Sequence, residues 1–315
     1  MAIYRDTFPN IDVDLLLAYV GMETDLIFSR GIDLPGFASY PLLETADGRK
    51  LLKEYLNDMI ALGRETGNGV ILESPTWVAN RDRGAALGYG PAVLQQFNQQ
   101  AIALMVEVRK VNSDVPAVIS ANLGPRDDAY APEVQMSASE AERYHSEQIS
   151  ALADTEVDVV SGYTLAYPSE AIGIVRAAQQ FGLPIVISFT VETDGKLPTG
   201  CTLEQAISEV DAATDGYAAY FMINCAHPDH FGSILDDQPW MQRVNGIVAN
   251  ASRCSHAELD EAEELDDGDP AELAGQLMDI RKRFPHIQVL GGCCGTDMRH
   301  MRKIAQASAA APPAF

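Results

Sequence analysis

Apolar residues fall along this chain in two alternating modes. Short, unbroken hydrophobic runs at 13–18, 69–72, 117–120, 157–161, 184–189, 220–223, 246–248 and 288–290 predict eight β-strands. Runs without polar alternation are typical of strands covered on both faces, which points to a parallel sheet. Between them, residues 49–62, 91–111, 140–153, 170–181 and 271–284 repeat apolar side chains every three or four positions, the period of a helix with one buried face. Three helix starts are marked in the sequence. Ser137-Ala138-Ser139-Glu140, Thr202-Leu203-Glu204-Gln205 and Ser255-His256-Ala257-Glu258 have the capping-box spacing, in which two side chains satisfy orphan amides of a first turn. Eight strand–helix alternations predict an α/β fold, a single (β/α)8 TIM barrel across residues 1–315. A doubly wound open sheet fits the same pattern, since closure leaves no mark in it. No linker or break in composition divides the chain.

Charge narrows the partners. With 45 Asp and Glu against 22 Lys and Arg, the formal net charge is −23. Phosphate-rich partners need clustered cations, so the composition argues against nucleic acid and against docking on an anionic membrane. No apolar run approaches the roughly 20 residues of a membrane span. The start, Met1-Ala2-Ile3-Tyr4-Arg5-Asp6, has no basic segment leading into an apolar one, so the chain reads as cytoplasmic. An odd set of five cysteines in such a chain reads as reduced thiols. Small-molecule partners are expected, and the sequence is compatible with a homo-oligomer. The acidic run 258–269 is expected to cap a solvated helix after the seventh strand. Residues 305–315 are expected to fray or to drape on the surface.

In a barrel, chemistry belongs at the C-terminal ends of the strands. After the sixth run stands Asn224-Cys225-Ala226-His227-Pro228, and after the eighth Gly291-Gly292-Cys293-Cys294-Gly295-Thr296. Three thiols thereby converge on one mouth. Adjacent cysteines resist pairing with each other, because the disulfide geometry is strained, and flanking glycines let both sulfurs turn to one centre. Three thiolates with a fourth position open form a reactive zinc arrangement. His227 and His230 are rival ligands, read here as loop residues, and Cys201 and Cys254 are given no role. Other barrel chemistries lack their residues. There is no His-x-His after an early strand, no strand-end lysine for a Schiff base and no Gly-x-Gly-x-x-Gly.

Asn224-Cys225 together with Gly291-Gly292-Cys293-Cys294-Gly295-Thr296 resembles the zinc signature of the homocysteine S-methyltransferase family. Weaker echoes are Gly21-Met22-Glu23-Thr24-Asp25-Leu26, Leu123-Gly124-Pro125, Ile187-Ser188-Phe189-Thr190 and Asn250. The resemblance implies a (β/α)8 barrel holding Zn²⁺ on Cys225, Cys293 and Cys294. It also implies methyl transfer from a small sulfonium or ammonium donor to the thiol of homocysteine, giving methionine. Glu23, Thr24, Glu73, Trp77, Tyr163, Thr164 and Asn224 would line the substrate site, with Trp77, Tyr163 and Tyr19 as aromatic walls for a cation. The sequence departs from the family at two acids. Tyr19 stands where members carry an Asp, and Tyr163-Thr164 where they carry Glu-Thr, the Glu holding the amino group of homocysteine. Glu73 or Glu23 is the expected substitute. Two alternatives stay open: the same zinc chemistry on another thiol or onium compound, and a zinc- or thiol-binding barrel without turnover.

Overall fold

All eight apolar runs form strands, and the strands close. In the computed structural model, which describes residues 2–18 and 21–310, β1 (Leu16–Ala18), β2 (Gly69–Glu73), β3 (Ala117–Leu123), β4 (Val159–Leu165), β5 (Ile185–Phe189), β6 (Tyr220–Asn224), β7 (Val244–Ala249) and β8 (Val289–Gly292) pair in parallel in sequence order. Pairing of β1 with β8 completes the ring, which excludes the open sheet.

The continuous hydrophobic runs follow from this closure, because each strand is buried on both sides. One set of side chains, among them Leu16, Ile71, Val118, Val159, Val186 and Met222, fills the barrel interior. The alternate set, including Leu17, Val70, Ile119, Val160, Ile187 and Ile247, packs against the helices. Each such aliphatic side chain contributes on the order of 1.5–3 kcal/mol on burial.

All three expected capping boxes form, before the helices Ala138–Ser150, Leu203–Thr214 and His256–Asp260. Proline in the first turn starts the helices Pro91–Val111, Pro168–Gln180 and Pro270–Arg283, where its missing N–H costs nothing. Among the described residues no helix is long and apolar enough to cross a membrane.

The floor of the barrel is sealed by the start of the chain. Tyr4, Phe8 and Ile11 pack against the interior cluster, and the rings of Phe8 and Tyr220 lie 5.6 Å apart. Asp158, just before β4, accepts the amides of Ile3 (2.8 Å), Tyr4 (2.9 Å) and Ile119 (2.9 Å), and it pairs with the buried Arg109.

One expectation is met and two need correction. The acidic run ends as a helix cap, Asp269 accepting the amides of Ala271 and Glu272 at the start of Pro270–Arg283; between the turn His256–Asp260 and that cap it is irregular. Its Gly268 and Asp-rich composition favour turns over helix. The expected tail is helical through Ala310, because Met301, Ile304 and Ala305 bury one face of the helix Met298–Ala310; residues 311–315 lie outside the described residues. Tyr163 and Thr164, expected beyond the fourth strand, lie within it, past a shift in the β4–β5 register between Gly162 and Leu165.

Candidate metal centre and cavity at the barrel mouth

β6 delivers Cys225, and the turn after β8 delivers Cys293 and Cys294. Their three Sγ atoms lie within 4.8 Å of one another, a group that includes neither His227 nor His230. His227 Nδ1 instead accepts the amide of Asp229 at 3.2 Å, and His230 Nε2 meets the carbonyl of Arg253 at 2.8 Å. Cys254 is exposed and Cys201 half-buried, and neither joins the group.

The backbone is bent to bring the sulfurs together. Cys225 has φ +54° and Thr164 φ +60°, both in the left-handed region that side chains avoid. For a β-branched threonine this conformation is a genuine outlier, and such strain costs about 1–3 kcal/mol. Asn224 holds the arrangement: its Oδ1 accepts the Thr164 amide (2.9 Å) and the Ser188 hydroxyl (2.6 Å), while its Nδ2 donates to Thr164 Oγ1 (2.8 Å). The Cys293-Cys294 turn is tied to the segment after β1. Gly21 N donates to Thr296 Oγ1 at 3.1 Å, and Gly295 N to Thr24 Oγ1 at 3.2 Å. Gly21 has to be glycine, because a Cβ there would sit 2.3 Å from the Cys293 carbonyl oxygen.

Polar hydrogens converge on the sulfurs. Tyr130 Oη donates to Cys225 Sγ at 3.1 Å, Asn250 Nδ2 reaches the same sulfur at 3.8 Å, and Asn224 Nδ2 reaches Cys293 Sγ at 3.9 Å. S–H donation from Cys293 and Cys294 pushes the Cys225 thiol well below the usual range, and bonding to Cys225 holds the other two thiols well above it. The cluster by itself therefore favours one thiolate, on Cys225. A tetrahedral zinc with Zn–S bonds of about 2.3 Å requires sulfurs about 3.8 Å apart, a spacing within the observed envelope. Three soft donors with an open side toward the cavity fit zinc.

His256 sits beside this centre, its Nε2 2.7 Å from the Cys225 carbonyl and its Nδ1 2.8 Å from Glu192 Oε1. Burial alone would lower its pKa, but the Cys225 thiolate and Glu192 outweigh burial and raise it. An acceptor at each ring nitrogen favours the doubly protonated imidazole, in the same direction as the raised pKa. The Tyr130 ring stacks on it at 3.9 Å, so the loops after β3 and β7 meet over Cys225.

The thiols open into a cavity of about 410 Å³, within the range of small-molecule sites. Glu23, Thr24, Trp77, Tyr163, Thr164 and Asn224, the residues singled out in the sequence, all line it. Glu73 does not: it lies behind Tyr163, whose hydroxyl donates to Glu73 Oε1 at 3.1 Å. Burial pushes the Glu73 carboxyl up to about 7, against the opposing bonds from Ser120 and Tyr163. Burial likewise raises Glu23 to about 6, against a hydrogen bond from Ser39 at 2.7 Å. Trp77 Nε1 is directed at the Tyr163 carbonyl (3.4 Å), which leaves the ring faces as its contribution to the wall. Tyr19 lies outside the described residues. Among the wall residues that escape sequence reasoning are Arg83, Asn122, Tyr130 and His256. Of these, only Asn122 lies in a strand, near the end of β3, where polarity in an apolar run could have flagged it. Leu259, Asp260 and Leu265 of the acidic segment also line the cavity, so this segment is part of the mouth.

A family model described as homocysteine S-methyltransferase matches residues 20–308. The chain is similar to solved structures of the homocysteine methyltransferase MmuM from Escherichia coli. The oxidized form superposes with a TM-score of 0.71 at 18% identity, over 94% of this chain and 96% of that one. The metallated form gives 0.66 at 16% identity, over 96% and 98%. The apo form gives 0.63 at 17%, over 94% and 96%. At such identities the likeness shows the shared fold. No curated protein sequence matches the chain.

Proposed function

Because the chain belongs to the homocysteine S-methyltransferase family, we propose that it transfers a methyl group from a small sulfonium or ammonium donor to the thiol of homocysteine, giving methionine. The observation that carries this reading is the convergence of Cys225, Cys293 and Cys294 on the cavity end, with their sulfurs inside one metal-sized envelope. These three residues would hold zinc. The metal, when bound there, supplies a Lewis acid that favours a substrate sulfur in its nucleophilic thiolate form.

The chain's own groups set up the rest. Donation from Tyr130, Asn224 and Asn250 fixes the orientation of the cysteine sulfurs, as outer partners of a metal site do. The reaction is a direct displacement: the substrate sulfur forms a bond to the methyl carbon, and the carbon's bond to the donor sulfur or nitrogen breaks with its electron pair staying on the donor. The onium charge is lost as the bond breaks, so aromatic walls such as Trp77 hold the cationic donor better than the neutral product. The substrate ammonium would meet Tyr163 in place of the family's acid. Its phenol proton is committed to Glu73, which leaves the phenol oxygen to accept from the ammonium, with the Glu73 carboxylate behind it. Glu23 and the buried, unpartnered Asn122 Oδ1 add acceptors on the same wall. Because a relayed carboxylate holds an ammonium less tightly than a direct one, the same replacement is what favours the second reading, another thiol as acceptor.

Zinc-edge X-ray absorption on the purified protein, with and without homocysteine, tests both. Three sulfur neighbours near 2.3 Å rising to four on adding homocysteine is the expected result. Three sulfurs that ignore homocysteine would retain the metal and transfer the assignment to another thiol. A protein that takes up no zinc overturns the proposal.

A further inference from the structure

One guanidinium lines the cavity, and the reaction described above assigns it no task. Arg83 stands in the short helix Arg81–Ala86 after β2, its amide capped by Asn80 Oδ1 at 3.1 Å. Its guanidinium carbon lies 5.6 Å from the centre of the Trp77 ring, and Nη2 donates to the Asp127 carbonyl at 2.6 Å. Of the five N–H groups a guanidinium offers, no other has an acceptor among the described residues.

Its charge is also unmatched. Neighbouring Arg81 and Arg126 both pair with Asp82, but no carboxylate of the described residues lies within ion-pair distance of Arg83. This is notable in so acidic a protein. Among the described residues lining the cavity, Arg83 is the one Lys or Arg, against the acids Glu23, Asp128, Asp260, Glu264 and Asp266. Such a wall repels a simple anion and draws in a cation, yet it presents one planar, partly buried fork with the geometry for a carboxylate. The complementary ligand is a zwitterion: an onium or ammonium centre for the acidic and aromatic surfaces, and a carboxylate for the fork.

We infer that Arg83 is the carboxylate-recognition residue of this cavity and restricts its substrates to amino-acid-like zwitterions. The inference rests on the methyl-transfer reading only for which molecules are brought to the site. Both reaction partners can carry the carboxylate, so the test uses two matched pairs. They are homocysteine against 3-mercaptopropylamine, and S-methylmethionine against (3-aminopropyl)dimethylsulfonium, each second member lacking only the carboxylate. Binding to the full-length, zinc-loaded protein is read from Trp77 fluorescence, with the buried Trp240 as a constant background, and methyl transfer is assayed in parallel.

In the parent, the carboxylate-bearing member of at least one pair is expected to bind about 10- to 100-fold more tightly, the range for a charge-assisted bond. Arg83→Met should abolish that preference while leaving the affinity for the decarboxylated member within about twofold. Arg83→Lys should restore it only in part, since a point charge cannot reproduce the fork. Loss in the thiol pair assigns Arg83 to the acceptor, and loss in the sulfonium pair assigns it to the donor. If Arg83→Met weakens every probe equally, Arg83 merely ties its helix to the loop at Asp127, and the inference is overturned. If methyl transfer keeps its full carboxylate preference in Arg83→Met, the inference fails and the proposed function stands. An Arg83-dependent preference in fluorescence without turnover on any pair has the opposite meaning.

Discussion

The two ends of the barrel treat buried polar groups in opposite ways. At the floor, Asp158 is fully enclosed, and both its oxygens are met, by three backbone amides and by Arg109. Arg5 closes the same end by donating to the carbonyls of Ala153, Thr155 and Val157. At the mouth, Glu73 Oε2 and Asn122 Oδ1 are buried without a protein partner, two residues hold positive φ, and three thiols crowd together. The polar side chains concerned are buried at both ends. The floor is complementary to itself, as a structural polar cluster must be. The mouth is complementary to something that is not protein. Burial alone therefore does not identify a site; the mouth is set apart by unmatched polar atoms that lie beside a thiol cluster and a cavity.

The largest effect that tests this contrast is at the mouth. Cys293→Ser is expected to lose tightly bound zinc and methyl transfer together, while the metal-free variant unfolds within about 1 kcal/mol of the metal-free parent. Metal analysis and denaturant melts check both halves, and full activity in a metal-free variant would sink the zinc assignment. At the floor, Asp158→Asn should do the reverse. It strands the buried Arg109 charge and costs about 3–5 kcal/mol of stability, with activity per folded molecule unchanged. A changed rate at saturating substrate would show that the two ends are coupled.

The third effect depends on pH. Glu73 holds its proton up to about 7 in the folded chain, against 4.5 as its ordinary value. The stability it contributes is therefore fully present below 4.5 and is lost as pH rises through about 7. Glu73→Gln should match the parent near pH 4.5 and exceed it at pH 8 by on the order of 3 kcal/mol. In the same window, an amine-bearing thiol should bind the parent more tightly as Glu73 ionises behind Tyr163, and the variant should lack this rise. Parallel stability curves for the two proteins would show that Glu73 does not titrate there.

Most of the fold was legible because a closed parallel barrel writes itself as unbroken apolar runs, and because capping boxes at Ser137, Thr202 and Ser255 are local chemistry. The thiol cluster was legible for a similar reason: a glycine-flanked Cys293-Cys294 at a strand end has few structural uses. What escaped lies where no period exists. Tyr130 and His256 reach Cys225 from separate loops, and their meeting depends on the barrel bringing the ends of β3 and β7 to one rim. Glu73 and Tyr163 were both singled out, but as independent wall residues. That one stands behind the other is a matter of side-chain depth, which linear spacing does not encode.

The clasp at Asp158 also sets a timetable. The chain that lays down Ile3 must lengthen by 155 residues before the carboxylate that anchors its amide exists. At synthesis rates of about 5–20 residues per second this is an interval of about 8 to 30 s. Throughout it, the first strand has neither its floor nor its closing neighbour β8, and the nascent first half carries its apolar faces uncovered. Premature release or a stall before residue 158 would leave a fragment unable to seal itself. The order of translation thus leaves the floor unsealed until the segment from Ala153 to Asp158, which anchors Arg5, Ile3 and Tyr4, has been made.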